Sequence, residues 1–302
     1  MEKFSSLNTK THNHARSNSL PSKPHPIILQ CNEHLARLGG ANSNYDSTSS
    51  SLLLSHKLNI LQDLHICIEK LVQLPLTQET LVKQSQEKWV DELLEGSLSL
   101  LDTCTATKDA LLHTKECARE LQSIIRRRRG GEGEIAIEVK KFLTSRKVVR
   151  KAIFKALENL KSNANKSYAS INNNKDYQTV ATVSLLKEVE MITFSIFETL
   201  LNFMCGTQSK RSSWSLVSKI MNSKRVSNSS SQGEDENEFA KVDNALELFA
   251  LNMGNSKLSD IENLQNKLVN LGSCIQDLEE GLESLFRRLI KIRVALLNIL
   301  NH

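Results

Sequence analysis

Residues 261–300 read IENLQNKLVNLGSCIQDLEEGLESLFRRLIKIRVALLNIL, and their spacing decides the fold. Ile261, Leu264, Leu268, Leu271, Ile275, Leu278, Leu282, Leu285, Leu289, Ile292, Leu296 and Ile299 alternate by three and four residues without a polar exception. That rhythm follows the turn of an α-helix, so one face of the segment is apolar from end to end. The positions beside the seam indicate what it packs against. Early on they include Lys267 and Glu279, as an intermolecular coiled coil would have; later they are Phe286, Ala295 and Leu300. A seam that widens in this way favours an intramolecular bundle over an intermolecular coiled coil. Gly272 and Gly281 argue against one rigid rod.

Upstream segments repeat the helical period. Leu54, Leu58, Leu61, Leu64, Ile68 and Leu71 share one face of a helix that should end before Pro75, because the residue preceding proline avoids the α region. Thr77 then offers an N-cap for the next segment. A long stripe runs from Trp89 through Leu93, Gly96, Leu100, Cys104, Thr107, Leu111, Thr114, Ala118 and Leu121 to Ile125. Arg126–Arg129 and Gly130-Gly131 supply cations and a break at its end. A further helix starts near Glu132 or Glu134, with Ile135, Val139, Phe142, Val149, Ile153 and Leu160 as its apolar face. Thr179 to Met204, stopped by Gly206, makes another, and a short helix is expected around Trp214 to Met221.

Composition agrees with this reading. The 302-residue chain has four prolines and eleven glycines, where average usage gives about 15 and about 21. Pro21, Pro24, Pro26 and Pro75 all lie in the first quarter. Sheet-rich folds need many turns, and turns draw on both residues. The predicted fold is therefore all-α: an elongated, multi-helix antiparallel bundle with coiled-coil-like C-terminal helices. Residues 1–50, rich in Ser, Asn, Thr and His, are predicted to be a disordered head, within which Ile27–Leu38 could make a helical turn. Residues 51–302 form one helical domain, with flexible linkers near 130–133, 170–178 and 222–238.

Charge is uneven. The formal net charge is +5, yet residues 126–166 hold thirteen Lys or Arg against four acids. The candidate basic patch comprises Arg126, Arg127, Arg128, Arg129, Lys140, Lys141, Lys147, Arg150, Lys151 and Lys155. At a helix C-terminus the first of these arginines complement the dipole; the surplus suits an acidic partner, either protein or a weak contact with an anionic membrane surface. Nucleic acid is not expected, because stacking aromatics are nearly absent there. Arg287, Arg288, Lys291 and Arg293 alternate with Leu289, Ile290, Ile292 and Val294, which reads as a core helix with a solvated basic face rather than a membrane-surface helix.

Catalytic, metal and cofactor chemistry finds no support in the spacing of residues. His113 and Cys117 share a helical face and His65 with Cys67 could approach them, but zinc sites use tighter paired spacing. Six scattered cysteines read as small apolar packers. No G-x-S-x-G, phosphate loop or H-E-x-x-H occurs. The start of the chain lacks the apolar core of a signal peptide, and no run approaches the ~20 apolar residues of a membrane span. A cytoplasmic location is expected, with membrane-peripheral or nuclear placement as the alternatives.

One short motif carries a mechanism. Arg16-Ser17-Asn18-Ser19-Leu20-Pro21 matches R-S-x-S-x-P, the pattern that 14-3-3 proteins read once the second serine is phosphorylated. A phosphoserine brings about −1.5 to −2 charges to an arginine cluster, and the proline turns the chain out of the groove. Arg16, Ser17, Ser19 and Pro21 are the candidate phospho-docking residues. Lys224-Arg225-Val226-Ser227 is a weaker kinase site.

Several blocks together resemble a land-plant family. They are His14–Pro21 with His25-Pro26, Leu74-Pro75-Leu76-Thr77-Gln78, Trp89–Leu98 with Leu101-Asp102, Lys115-Glu116-Cys117 through Arg128, and Leu289–Leu300. The chain resembles the BYPASS-related proteins across nearly its whole length. The resemblance implies a helical protein without known catalytic residues, linked to root and shoot development, and a lead toward vesicle tethering. A non-enzymatic interaction or scaffold protein is the expected function, with a peripheral adaptor binding anionic lipid through a basic helix as the alternative.

Overall fold

The structure, a computed structural model, describes residues 25–40, 50–83, 88–127, 132–171, 179–206, 236–251 and 258–301. Among them are eight helices and no strand: α1 (Pro26–Gly40), α2 (Ser50–Val72), α3 (Pro75–Lys83), α4 (Lys88–Arg127), α5 (Glu132–Ile171), α6 (Thr179–Met204), α7 (Glu238–Leu251) and α8 (Leu258–Leu300). The C-terminal seam is α8, 43 residues and about 65 Å long at 1.5 Å per residue. Its positions from Leu264 to Leu296 are buried, and Ile261 and Ile299 are half-buried. They are covered by α2 and α4, with α7 adding to one end, so the seam closes within the chain. α8 continues unbroken through Gly272 and Gly281. Each glycine costs about 1 kcal/mol of helix propensity, which the packed leucine stripe outweighs.

Helix directions follow from paired residues. α4 is antiparallel to α5, Ser99 meeting Asn163 and His113 meeting Ser145. It is antiparallel to α8 as well, Leu94 meeting Arg293 and Lys115 meeting Glu279. α2 instead runs parallel to α8: Gln62 donates to the Gly281 carbonyl and Arg288 to Glu69, each pair separated by 219 residues. A parallel pair requires a long connection, and here that connection is most of the molecule.

Local chemistry explains the details. The threonines on the α4 stripe are buried without an external partner, because Thr103, Thr107 and Thr114 each donate to the carbonyl four residues back at 2.7–2.8 Å. Back-bonding of this kind lets a hydroxyl sit on an apolar face. Gly96 permits a close approach of α6: a Cβ there would lie 1.3 Å from a carboxylate oxygen of Glu190. Gly206 ends α6 at φ 73°, the left-handed conformation that favours glycine.

Two expectations change. Ile27–Leu38 makes a whole helix, α1, rather than a turn; His25 Nδ1 accepts from the Ile27 amide at its start, and Cys31, Leu35 and Leu38 are buried against the bundle. α3 begins at Pro75, ahead of Thr77, because proline at the first helical position is already set in the helical φ. α5 starts at Glu132, one of the two expected positions, and so takes in the end of the stretch near 130–133. The short helix around Trp214 to Met221 and the Asn172–Asn174 loop fall outside the described residues.

Candidate functional site

α5 carries most of the basic patch, and its two faces treat charge differently. Val139, Phe142, Val149 and Ile153 point inward, as expected. Arg146 lies on that same stripe and is 3% exposed. A buried guanidinium is costly unless its charge and donors are met. Here Nε and Nη2 donate to the two carboxylate oxygens of Asp243 at 2.9 and 2.8 Å, and Nη2 also donates to the Met204 carbonyl at 2.9 Å. The fork geometry of arginine suits this bidentate contact. Arg146 also sits 5.3 Å from the Phe239 ring centroid, and Phe239 packs edge-on against Phe203.

Arg150, one turn on, joins the same cluster. Its Nη2 donates to Asp243 at 2.7 Å and its Nε to the Cys205 carbonyl at 3.2 Å. Asn237 completes the arrangement, donating to the Phe203 carbonyl and accepting from the Ala240 amide as the N-cap of α7. The last carbonyls of α6 are thus capped by side chains from α5 and from the start of α7. Cations at a helix C-terminus also complement its dipole. The cluster fastens three helices where the bundle would otherwise expose a helix end.

The expected basic patch is therefore divided. Arg150 is half-buried, its guanidinium engaged by Asp243 and the Cys205 carbonyl. Lys141 is exposed and pairs with Glu138 at 3.0 Å. Lys140, Lys147, Lys151 and Lys155 are exposed on the outer face, with no carboxylate in ion-pair range among the described residues. Ile137, Val148 and Phe154 stand among them, 59%, 61% and 53% exposed. Arg126 and Arg127 are exposed at the end of α4, where with Arg119, Gln122 and Ser123 they line an open cleft of about 450 Å³. Arg128, Arg129 and the docking residues Arg16, Ser17, Ser19 and Pro21 lie outside the described residues.

The remaining candidates resolve into packing. His113 and Cys117 both reach Ser145, at 2.7 and 3.2 Å, and so join α4 to α5. His65 does not approach them; it is buried and meets Thr193 of α6 at 3.0 Å. Burial pushes its imidazole down to about 4. Among the described residues no group of three or more His, Cys, Asp or Glu is placed to hold a metal ion. Burial raises the thiols of Cys31, Cys104 and Cys274 to about 12, so they remain protonated.

Sequence reasoning missed Arg146 and Asp243, although both left a signal. Arg146 interrupts the apolar column Val139, Phe142, Val149, Ile153, and Asp243 lies on the stripe of Phe239, Leu246 and Phe249. A charge on an apolar stripe announces a buried partner, but not which one.

No helix among the described residues is long and apolar enough to cross a membrane. No curated protein and no solved structure matches the chain. A family model, described as Protein BPS1, matches residues 57–299, from the middle of α2 almost to the end of α8. The Arg146–Asp243 cluster, the lysine face of α5 and the α8 seam all fall inside that span, and the chain belongs to the Protein BPS1 family.

Proposed function

We propose that this protein is a non-enzymatic helical scaffold that acts in plant root and shoot development by presenting a rigid surface to other components. The division of cations on α5 carries the reading. Its inner arginines are spent on fastening α6 and α7, whereas Lys140, Lys147, Lys151 and Lys155 face outward beside exposed apolar side chains, without an ion partner among the described residues. Side chains that neither stabilise the fold nor pair locally are the ones available to a partner. Family membership over residues 57–299, together with the resemblance of the sequence blocks to the BYPASS-related proteins, supports the developmental role.

Proximity labelling in root tissue tests this with the full chain and a variant carrying Lys→Gln at 140, 147, 151 and 155. The variant is expected to lose a defined set of neighbours. Identical neighbour sets would show that the face presents nothing.

The Arg16–Pro21 motif adds a regulated contact in the same scheme. Phosphorylated Ser19 would recruit a 14-3-3 protein, as its charge and the following proline require. A pull-down comparing phosphorylated chain with Ser19→Ala separates the cases, since equal 14-3-3 recovery removes the head from the scheme.

A further inference from the structure

We propose that the outer face of α5 docks flat on an anionic membrane surface, an inference that rests on the scaffold reading and names the partner of its lysine face. From Ile137 to Lys155 that face extends about 27 Å along the helix axis. Between Glu138 and Glu158 the sequence contains no acidic residue. Glu138 itself is buried and held by Lys141. Lys140, Lys147, Lys151 and Lys155 spread along the exposed side, and Ile137, Val148 and Phe154 project between them.

Three features select lipid. First, lysine has a long apolar stem and a point charge, so it can lay its methylenes toward the acyl boundary while its ammonium stays among headgroups. Second, the three apolar side chains offer area that only a partly apolar environment rewards; a bilayer interface provides it beneath the anionic layer. Third, the face is the outer side of a packed helix, without a groove to register fixed carboxylates. Mobile lipid anions can arrange themselves around scattered lysines, whereas the cores of protein interfaces are depleted in lysine. Nucleic acid fits less well. The arginines of this helix, Arg146 and Arg150, are turned inward, and Phe154 is the lone aromatic on the face.

The test is sedimentation of the purified full-length chain with phosphatidylcholine vesicles, with and without phosphatidylserine, at low and high salt. Binding is expected only with phosphatidylserine and should weaken as salt rises. Each lysine near the surface contributes about fivefold in affinity, so Lys→Gln at 140, 147, 151 and 155 together should lose more than about a hundredfold. Lys→Arg at the same four positions should retain binding, and V148S with F154S should lose about tenfold. Failure of the wild-type chain to sediment with phosphatidylserine overturns the proposal, as does equal sedimentation of the Lys→Gln variant. Soluble polyglutamate binding as tightly as vesicles, with V148S/F154S unchanged, also overturns it and assigns the face to an acidic protein. Pure lipid reports on docking alone. A negative result here with altered neighbours in tissue therefore sinks the membrane and leaves the scaffold standing.

Discussion

The outer face of α5 and the last third of α8 have similar sequences, cations alternating with aliphatic residues, and they differ in what surrounds them. On α8, Arg288 and Lys291 meet Glu69 of α2 at 2.7 and 3.6 Å. Arg287 pairs with Glu283 at 2.9 Å, and Arg293 donates to Ser97 and to the Leu94 carbonyl of α4. On α5, Lys140, Lys147, Lys151 and Lys155 have no such acid among the described residues. A basic amphipathic stretch is thus not a surface by virtue of its own sequence. Glu283 is local, but Glu69 comes from a helix far along the chain, and only packing shows whether such an acid arrives.

The comparison can be broken most severely where α5 itself is tied down. Asp243→Asn would leave Arg146 buried and Arg150 half-buried with their shared counter-charge removed, at a cost of about 3–5 kcal/mol, most of it from Arg146. Urea unfolding would measure it, and a loss near zero would mean that the cluster does not fasten α5, α6 and α7.

The next effect concerns α2, the helix that supplies Glu69 to α8. His65, one turn earlier, is buried with its imidazole at about 4. As pH falls below its ordinary value near 6.5, the unfolded chain takes up a proton that the folded chain does not, so stability falls between about 6.5 and 4. At pH 5 the loss is about 2 kcal/mol relative to pH 7. His65→Gln should flatten the urea-derived stability over that window, and an unchanged slope would remove His65 as its source.

Glu69→Gln should cost less, about 1 kcal/mol, since its partners are partly exposed. Its sharper consequence is for the comparison: Arg288 and Lys291 would become free cations, and vesicle binding at the α8 end should rise. The smallest stability change belongs to the α5 lysines. Each Lys→Gln at 140, 147, 151 or 155 should shift unfolding by less than about 0.5 kcal/mol. A larger shift would reveal an ion pair and erase the contrast with α8.

Legibility in the sequence followed the range of the physics. Local signals transferred well: α6 spans Thr179–Met204, where its period and Gly206 place it, and the α8 seam is buried along its leucines. Signals that need a partner did not. Arg146 and Asp243 lie 97 residues apart, and no periodicity connects them. Arg150 read as surface charge because exposed Lys147 and Lys151 lie beside it in sequence; only the arrival of α6 and α7 gives it partners. The parallel course of α2 and α8 was equally hidden, since a stripe states which face is buried and not which way its partner points.

That parallel pairing has a consequence for how the protein is made. The α8 residues that cover Gln62 and Glu69 are synthesised 219 positions later, or about 10–45 s at ordinary translation rates. Throughout that interval α1 and then α6 can pack on α2, but the side that α8 will cover stays open. The nascent chain must wait, shielded by provisional contacts or by chaperones, until its final helix leaves the ribosome. A messenger truncated before codon 258 would yield a chain that stays in that waiting state, the faces of α2 and α4 that α8 covers never closed.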